Sequence, residues 1–226
     1  MRRLIQPAVS QHAAIAALAT ALLCYPRFVL WNQRTHPLWY LEAVTFCGGF
    51  VLWAFIFAWH TQYTKRPVFV YRIPWHDWAT ATAAGILTAS ALFFFLDPAL
   101  RQTTPEDYPT HELQWAAMTL FSLALNQLFL VFAPFAWLVR LFGRTSVAMI
   151  LTIVFGVIVL VLKTHMSPAP FPATLLTTLL GTRLLLSLLS VSFYLRGGVL
   201  LTSWSALLVQ ARLLPGLLSL GSHHGN

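Results

Sequence analysis

The run SVAMILTIVFGVIVLVL, residues 146–162, carries no charged side chain and stops at Lys163. It approaches the roughly 20 apolar residues that a helix needs to cross the hydrocarbon core of a bilayer. Similar runs recur along the chain. Only 9% of the 226 residues are charged and 58% are hydrophobic, whereas a soluble domain carries about 25% charge. Lipid offers no partners for free backbone N–H and C=O groups, so apolar segments of this length must be helical. The sequence therefore predicts an all-α polytopic membrane protein, a single membrane domain over 1–226.

Seven spans are expected, near 13–31, 38–59, 79–98, 115–141, 146–164, 171–194 and 198–214, the last of them short. The basic N-terminus followed by an apolar stretch resembles a signal peptide. No convincing small-x-small cleavage site precedes Pro26, so an uncleaved first span is expected. The longest polar connection, DPALRQTTPEDYPTHELQ (97–114), holds three prolines and four of the six acids, and is expected to be an ordered loop outside the membrane. Residues 215–226 form a tail.

The formal charge of +8 reads as a topology signal, because no basic cluster with interleaved aromatics marks a nucleic-acid surface. With seven spans, Arg2, Arg3, Lys65, Arg66, Arg72, Arg140, Arg144 and Arg196 fall on one side. Arg27, Arg34, Arg101, Lys163 and Arg212 fall on the other, with the acidic connection. Lys and Arg concentrate on the cytoplasmic side, so the N-terminus is expected inside and the C-terminus outside, in a bacterial inner membrane. Trp31, Trp39, Trp59, Trp75, Trp78 and Trp115 sit near span ends, as interfacial aromatics do.

Polar side chains inside apolar spans mark the candidate sites. In the fourth span, Asn126 and Gln127 interrupt LNQLFLVFAPFAWLVRLFGR. Thr119, Asn126, Ala133 and Arg140 recur every seven residues with Ser122 alongside, predicting one small, polar helix face. Pro134 is expected to kink this helix. The amides serve either as interhelical hydrogen-bond partners or as ligand contacts. In the sixth span Arg183, Ser187, Ser190 and Tyr194 form a stripe. A charge as deep as Arg183 costs about 2.5–3.5 kcal/mol, so a partner is expected: Asn126, Gln127, Glu42 or Asp97. The seventh span carries Ser203 and Gln210 on one face, Ser205 and Arg212 on another. The binding candidates are Asn126, Gln127, Arg183, Ser187 and Gln210.

No metal or cofactor is expected. His60 and His165 fall at opposite sides under this topology. His36, His111 and His165 share one side without ligand-type spacing, and His223 and His224 belong to the tail. Cys24 and Cys47 have no metal spacing and read as packing residues. No phosphate loop, nucleophile elbow or HExxH occurs.

From residue 70 onward the order of features, YRIPWHDWATATAAGIL, then the fourth span, then SVAMILTIVFGVIVLVLKTH, then FYLRGGVLLTSWSALLVQARL, resembles the CPBP family. These are the CAAX-protease and bacteriocin-processing membrane proteins, also called Abi. The resemblance covers about the last two-thirds of the chain, with residues 71–214 as the CPBP-like core and 1–70 as two N-terminal spans. It implies the family's helical bundle. It also implies that Asn126 and Gln127 stand where the family has the glutamate pair of EExxxR, and Val131 where it has the arginine. Phe155 matches the FxxxH motif, but Val159 replaces its histidine. Near Leu207 and Ala211 the last histidine and asparagine are missing as well. An amide has nearly glutamate's shape without its charge or basicity, and valine has neither. The resemblance thus implies a pseudo-protease without catalytic residues, which binds or positions a membrane protein or hydrophobic peptide within the lipid bilayer. Two other readings stay open: an active intramembrane endopeptidase with a rearranged site, and a small transporter or subunit of a membrane complex. Proteolysis by a rearranged site has few acids to draw on. A transporter would show paired broken helices or internal symmetry, which the sequence lacks.

Overall fold

A computed structural model describes residues 7–31, 35–166 and 171–214. The expectations for Arg2, Arg3, Arg34, His223 and His224 lie outside these. Among the described residues the protein is helical, without strands apart from one isolated bridge between Phe69 and Gly198. Six helices are long and apolar enough to cross a membrane: α1 (Pro7–Val29), α2 (Leu38–Thr64), α3 (Trp75–Thr103), α4 (Glu112–Phe142), α5 (Thr145–His165) and α6 (Ala173–Ala211). This is an integral membrane protein. Its outward apolar side chains fit lipid: Leu87 is 70% exposed and Phe95 82%.

The helix boundaries have local causes. Pro37, Pro74 and Pro172 immediately precede α2, α3 and α6, where a missing N–H costs a helix nothing. At the start of α4, His111 Nδ1 accepts from the Gln114 N–H at 3.2 Å, and Gln114 Oε1 accepts from the Thr110 N–H and hydroxyl. This satisfies donors that the first turn leaves free. α4 ends at Gly143, whose φ of 65° forms a left-handed cap donating to the Val139 carbonyl.

The structure differs from the sequence expectations at three points. Six helices are long and apolar enough to cross a membrane, and the sixth and seventh expected spans are the two arms of the last of them, α6. Gly198 breaks α6 with φ 65° and ψ −154°. Beyond it the chain turns back, so Thr202 Oγ1 reaches the Ser190 carbonyl at 3.5 Å, twelve residues upstream. The distal arm, 199–211, is about 20 Å long at 1.5 Å per residue. Secondly, the connection 97–114 is largely helical: α3 runs on to Thr103, a 3₁₀ turn covers Pro105–Asp107, and α4 begins at Glu112. Thirdly, the first span begins at Pro7 rather than near residue 13.

Small residues bring the helices together. On α1, Ala13 and Ala17 are fully buried, and a Cβ on Gly49 of α2 would lie 3.7 Å from Ala17. Close approach of this kind is what packs helices in lipid, where hydrophobic burial gives no drive. The Trp53 indole N–H donates to Thr20 Oγ1 at 3.0 Å across the same contact. α4 lies centrally, with Leu128, Phe132, Phe135 and Val139 buried against Trp53, Ile56 and Tyr194.

Polar contacts collect at two ends of the bundle. At one, Arg212 pairs with Asp97 at 3.0 Å, Tyr108 donates to Asp97 at 2.8 Å, and Lys163 meets Asp107 at 2.6 Å. At the other, Arg140 donates to the Tyr63 hydroxyl, Arg66 to the Leu195 carbonyl, and Arg196 lies 3.8 Å from Asp77. The distal arm of α6 thus runs from the Leu195 end to the Asp97 end. The Arg212–Asp97 pair is the buried one, and removing one partner of such a pair costs about 3–5 kcal/mol. The exposed Lys163–Asp107 pair contributes about 0–1 kcal/mol.

Candidate functional site

The fold-back of α6 sets its two arms beside α4, and between them lies a cavity of about 250 Å³. Asn126 and Gln127 enter it from α4, Arg183 and Ser187 from the proximal arm of α6, and Gln210 from the distal arm. All five binding candidates read from the sequence therefore line one cavity. Ser122, Ser190 and Ser205 join them, as does Thr88 of α3. Thr88 was not singled out in the sequence. It sits three residues after Gly85, where α3 presses against Leu208 and Ser205 of α6, and only that packing turns it toward the cavity.

The backbone of α4 is unusual here. Gln127 N–H donates to the Ser122 carbonyl and Ala133 N–H to the Leu128 carbonyl, five residues back in each case, so 122–126 and 128–132 form π turns. The second lies just before Pro134, which has no N–H to give; a third, Leu92–Leu96, likewise precedes Pro98. Pro134 thus acts through a π turn in the ladder ahead of it. Such turns advance the helix phase, and the seven-residue stripe does not survive them. Asn126 lines the cavity, Thr119 is buried with its hydroxyl unpartnered, Ala133 is in the core, and Arg140 reaches Tyr63.

Arg183 does not find the acid expected for it. Its Nε donates to the Gly156 carbonyl of α5 at 3.2 Å. Among the described residues no carboxylate lies within ion-pairing distance of it. Asp97 is held by Arg212 and Tyr108, and Glu42 Oε1 is buried without a partner. The fit at Gly156 is tight: a Cβ there would lie 2.9 Å from Ser187 Oγ and 3.3 Å from Arg183 Nε.

A second, larger cavity of about 870 Å³ adjoins the first, sharing Ser122, Asn126 and Gln210, and extends to Tyr108, Lys163 and Arg212 at the Asp97 end. Val159 lines this outer space, while Val131 lines the inner one. Phe155 lies in neither and packs edge-on against Phe129 at 5.8 Å. Leu207 and Ala211 line neither, but Ala206 and Gln210, one residue before each, line the inner cavity.

The remaining polar candidates separate. Tyr194 leaves the Arg183–Ser187–Ser190 stripe and turns into the core, its ring 4.7 Å from that of His60. His60, placed by sequence at a span end, is 1% exposed, and neither ring nitrogen has a partner. His36 lies against Tyr40 and His111 caps α4. Among the described residues no three His, Cys, Asp or Glu side chains are grouped to hold a metal.

The inner cavity therefore presents one guanidinium, three amides and several hydroxyls, with no carboxylate, imidazole or thiol. None of these is a general base near neutral pH, and none is a usual zinc ligand. The set is rich in hydrogen-bond donors and suited to binding. Comparison with protein-family models, with curated proteins and with solved structures gives no match to this chain.

Proposed function

We propose that this integral membrane protein is a catalytically silent relative of the CPBP intramembrane proteases, which binds or positions a membrane partner or hydrophobic peptide through the cavity between α4 and α6. One observation carries the reading: the residues at the EExxxR positions, Asn126, Gln127 and Val131, line a single cavity with Arg183 and Gln210, and that lining holds no carboxylate or imidazole. In this reading the amides keep the shape of a glutamate pair and its place in the bundle, while the groups that would ionise or ligate are gone. The inner bacterial membrane is the setting, with the N-terminus inside. The Arg66–Arg140–Arg196 end then faces the cytoplasm, and the larger cavity opens outward.

The test is capture of a stoichiometric partner by the full chain solubilised from its own membrane, compared with Arg183→Leu at equal thermal stability. Loss of the partner in the variant is the expected result. Metal-dependent cleavage of a hydrophobic peptide by the wild-type chain would refute the silent reading.

A further inference from the structure

Arg183 and the serines around it have more donors than the protein uses. Of the five N–H groups on a guanidinium, the only one with a hydrogen bond among the described residues is Nε, to Gly156. Helical threonines elsewhere satisfy their hydroxyls on their own carbonyls: Thr20, Thr80, Thr152 and Thr178 each donate to the residue four back. The cavity serines do not. Ser187, Ser190 and Ser205 line the same space as Arg183 with no hydrogen bond from their hydroxyls among the described residues, and the Gln127 Oε1 oxygen is buried there unpartnered.

The route to this place is also charged. Arg27, which no acid among the described residues pairs, lines the outer cavity, as do Lys163 and Arg212. Asp107 and Asp97 neutralise the latter two, and Glu106 stands on the same wall. Deeper in, Arg183 meets no acid among the described residues. An uncompensated cation at this depth favours an anion over any neutral ligand.

We infer that the inner cavity binds a phosphate group, seated on Arg183 and hydrogen-bonded by hydroxyls and amides from α4 and both arms of α6. This deepens, and rests on, the reading of the cavity as a binding site. The shape of the donor set selects phosphate. A carboxylate is satisfied by one guanidinium, edge to edge, and leaves the serines unused. A phosphate offers oxygens in several directions, toward Arg183 and Ser187 on one side and toward Ser205, Gln210 and Asn126 on the others. The space of about 250 Å³ is several times the ~30 Å³ share of a water molecule, enough for a phosphate with a short ester stub. The phosphate comes either from a lipid headgroup or from a free anion.

Two arms of one experiment separate these sources. Delipidated full-length protein is titrated with inorganic phosphate by calorimetry. In parallel, the protein is taken from phosphatidylcholine vesicles with and without phosphatidic acid, and retained lipid is read by native mass spectrometry. Arg183→Gln should weaken the binding at least about tenfold, the order expected for losing one charge-assisted contact. Arg183→Lys, which keeps the charge but loses the planar fork, should retain part of it. Serving as a second probe that leaves the charge in place, Gly156→Ala pushes a methyl into the Arg183 seat and should also weaken binding. Phosphate binding that depends on Arg183 supports a free anion. Retention of phosphatidic acid alone, again dependent on Arg183, supports a headgroup. Binding in neither arm, or binding unchanged in Arg183→Gln, overturns the inference. If partner capture is still lost in Arg183→Leu, the binding-cavity reading survives that result; if capture too is unchanged, both fall.

Discussion

Arg183 of α6 is anchored to the Gly156 carbonyl of α5 at 3.2 Å, in a gap where a single methyl group on Gly156 would stand 2.9 Å from Ser187. The contact fixes the only charged side chain lining the inner cavity, whose other donors have no hydrogen-bond partner among the described residues. Two helices thus hold a cation in place for something the protein itself does not supply.

Gly156→Ala should therefore destabilise the bundle by about 1–3 kcal/mol, the usual range for overpacking. Gly181→Ala, on the same helix as Arg183 and with open space around it, should be neutral or stabilising by about 0.5–1 kcal/mol from the helix preference of alanine. Thermal unfolding in detergent compares the two. Equal melting temperatures would show that the Gly156 contact is loose.

Gly198 and Gly143 both have φ of 65°, but their surroundings differ. A Cβ on Gly198 would run into the Val68 carbonyl, whereas nothing lies near one on Gly143. The ψ of −154° at Gly198 is moreover nearly exclusive to glycine. Gly143→Ala should cost about 1–2 kcal/mol, the left-handed penalty alone. Gly198→Ala should cost clearly more and open the α6 hairpin, read as faster proteolysis of the distal arm.

Tyr108 lies between α3 and α4, outside the membrane helices. Burial, then the hydrogen bond it donates to Asp97 and that carboxylate's charge, raise its phenol above the ordinary range, against the opposing pull of Arg212 and Arg101. A raised folded value means that the neutral phenol contributes its full stability below the unfolded pKa of about 10. That contribution fades as pH climbs past it toward the folded value. Denaturation followed from neutral to strongly alkaline pH should show this loss in wild type. In Tyr108→Phe the curve should start lower and fall less steeply; parallel curves would remove Tyr108 from the account.

How much of this was legible in the sequence depends on what sets each feature. Runs without charge, such as 146–162, announced their helices because length against bilayer thickness decides them. Asn126, Gln127, Arg183, Ser187 and Gln210 were legible as a group because lipid satisfies none of them, so they had to turn inward. The α6 hairpin was not, because it rests on Gly198 meeting Val68, a contact more than a hundred residues away in sequence. The Thr119–Arg140 stripe failed for a local reason: spacing by seven assumes an unbroken helix, and the π turns of α4 shift the phase midway. The burial of His60 was not legible, because its place at a span end said nothing of Tyr194 and Phe135 packing against its ring.

The cavity lining also sets an expectation for metal. The purified chain, free of affinity-tag histidines, should hold far less than one equivalent of any transition metal, by elemental analysis after dialysis. Addition of chelator should leave its melting temperature unchanged. A stoichiometric metal, lost on Asn126→Ala or Gln127→Ala, would return the site to enzymology.

The most direct measurement places a photo-reactive amino acid at Gln127, inside the cavity, and in a second protein at Phe95, on the lipid-facing surface. Both are irradiated in native membranes, and the adducts are identified by mass spectrometry. A binding cavity predicts one discrete adduct from position 127, diminished by Arg183→Leu, and only a diffuse lipid background from position 95. The same background from both positions, indifferent to Arg183, would contradict the account.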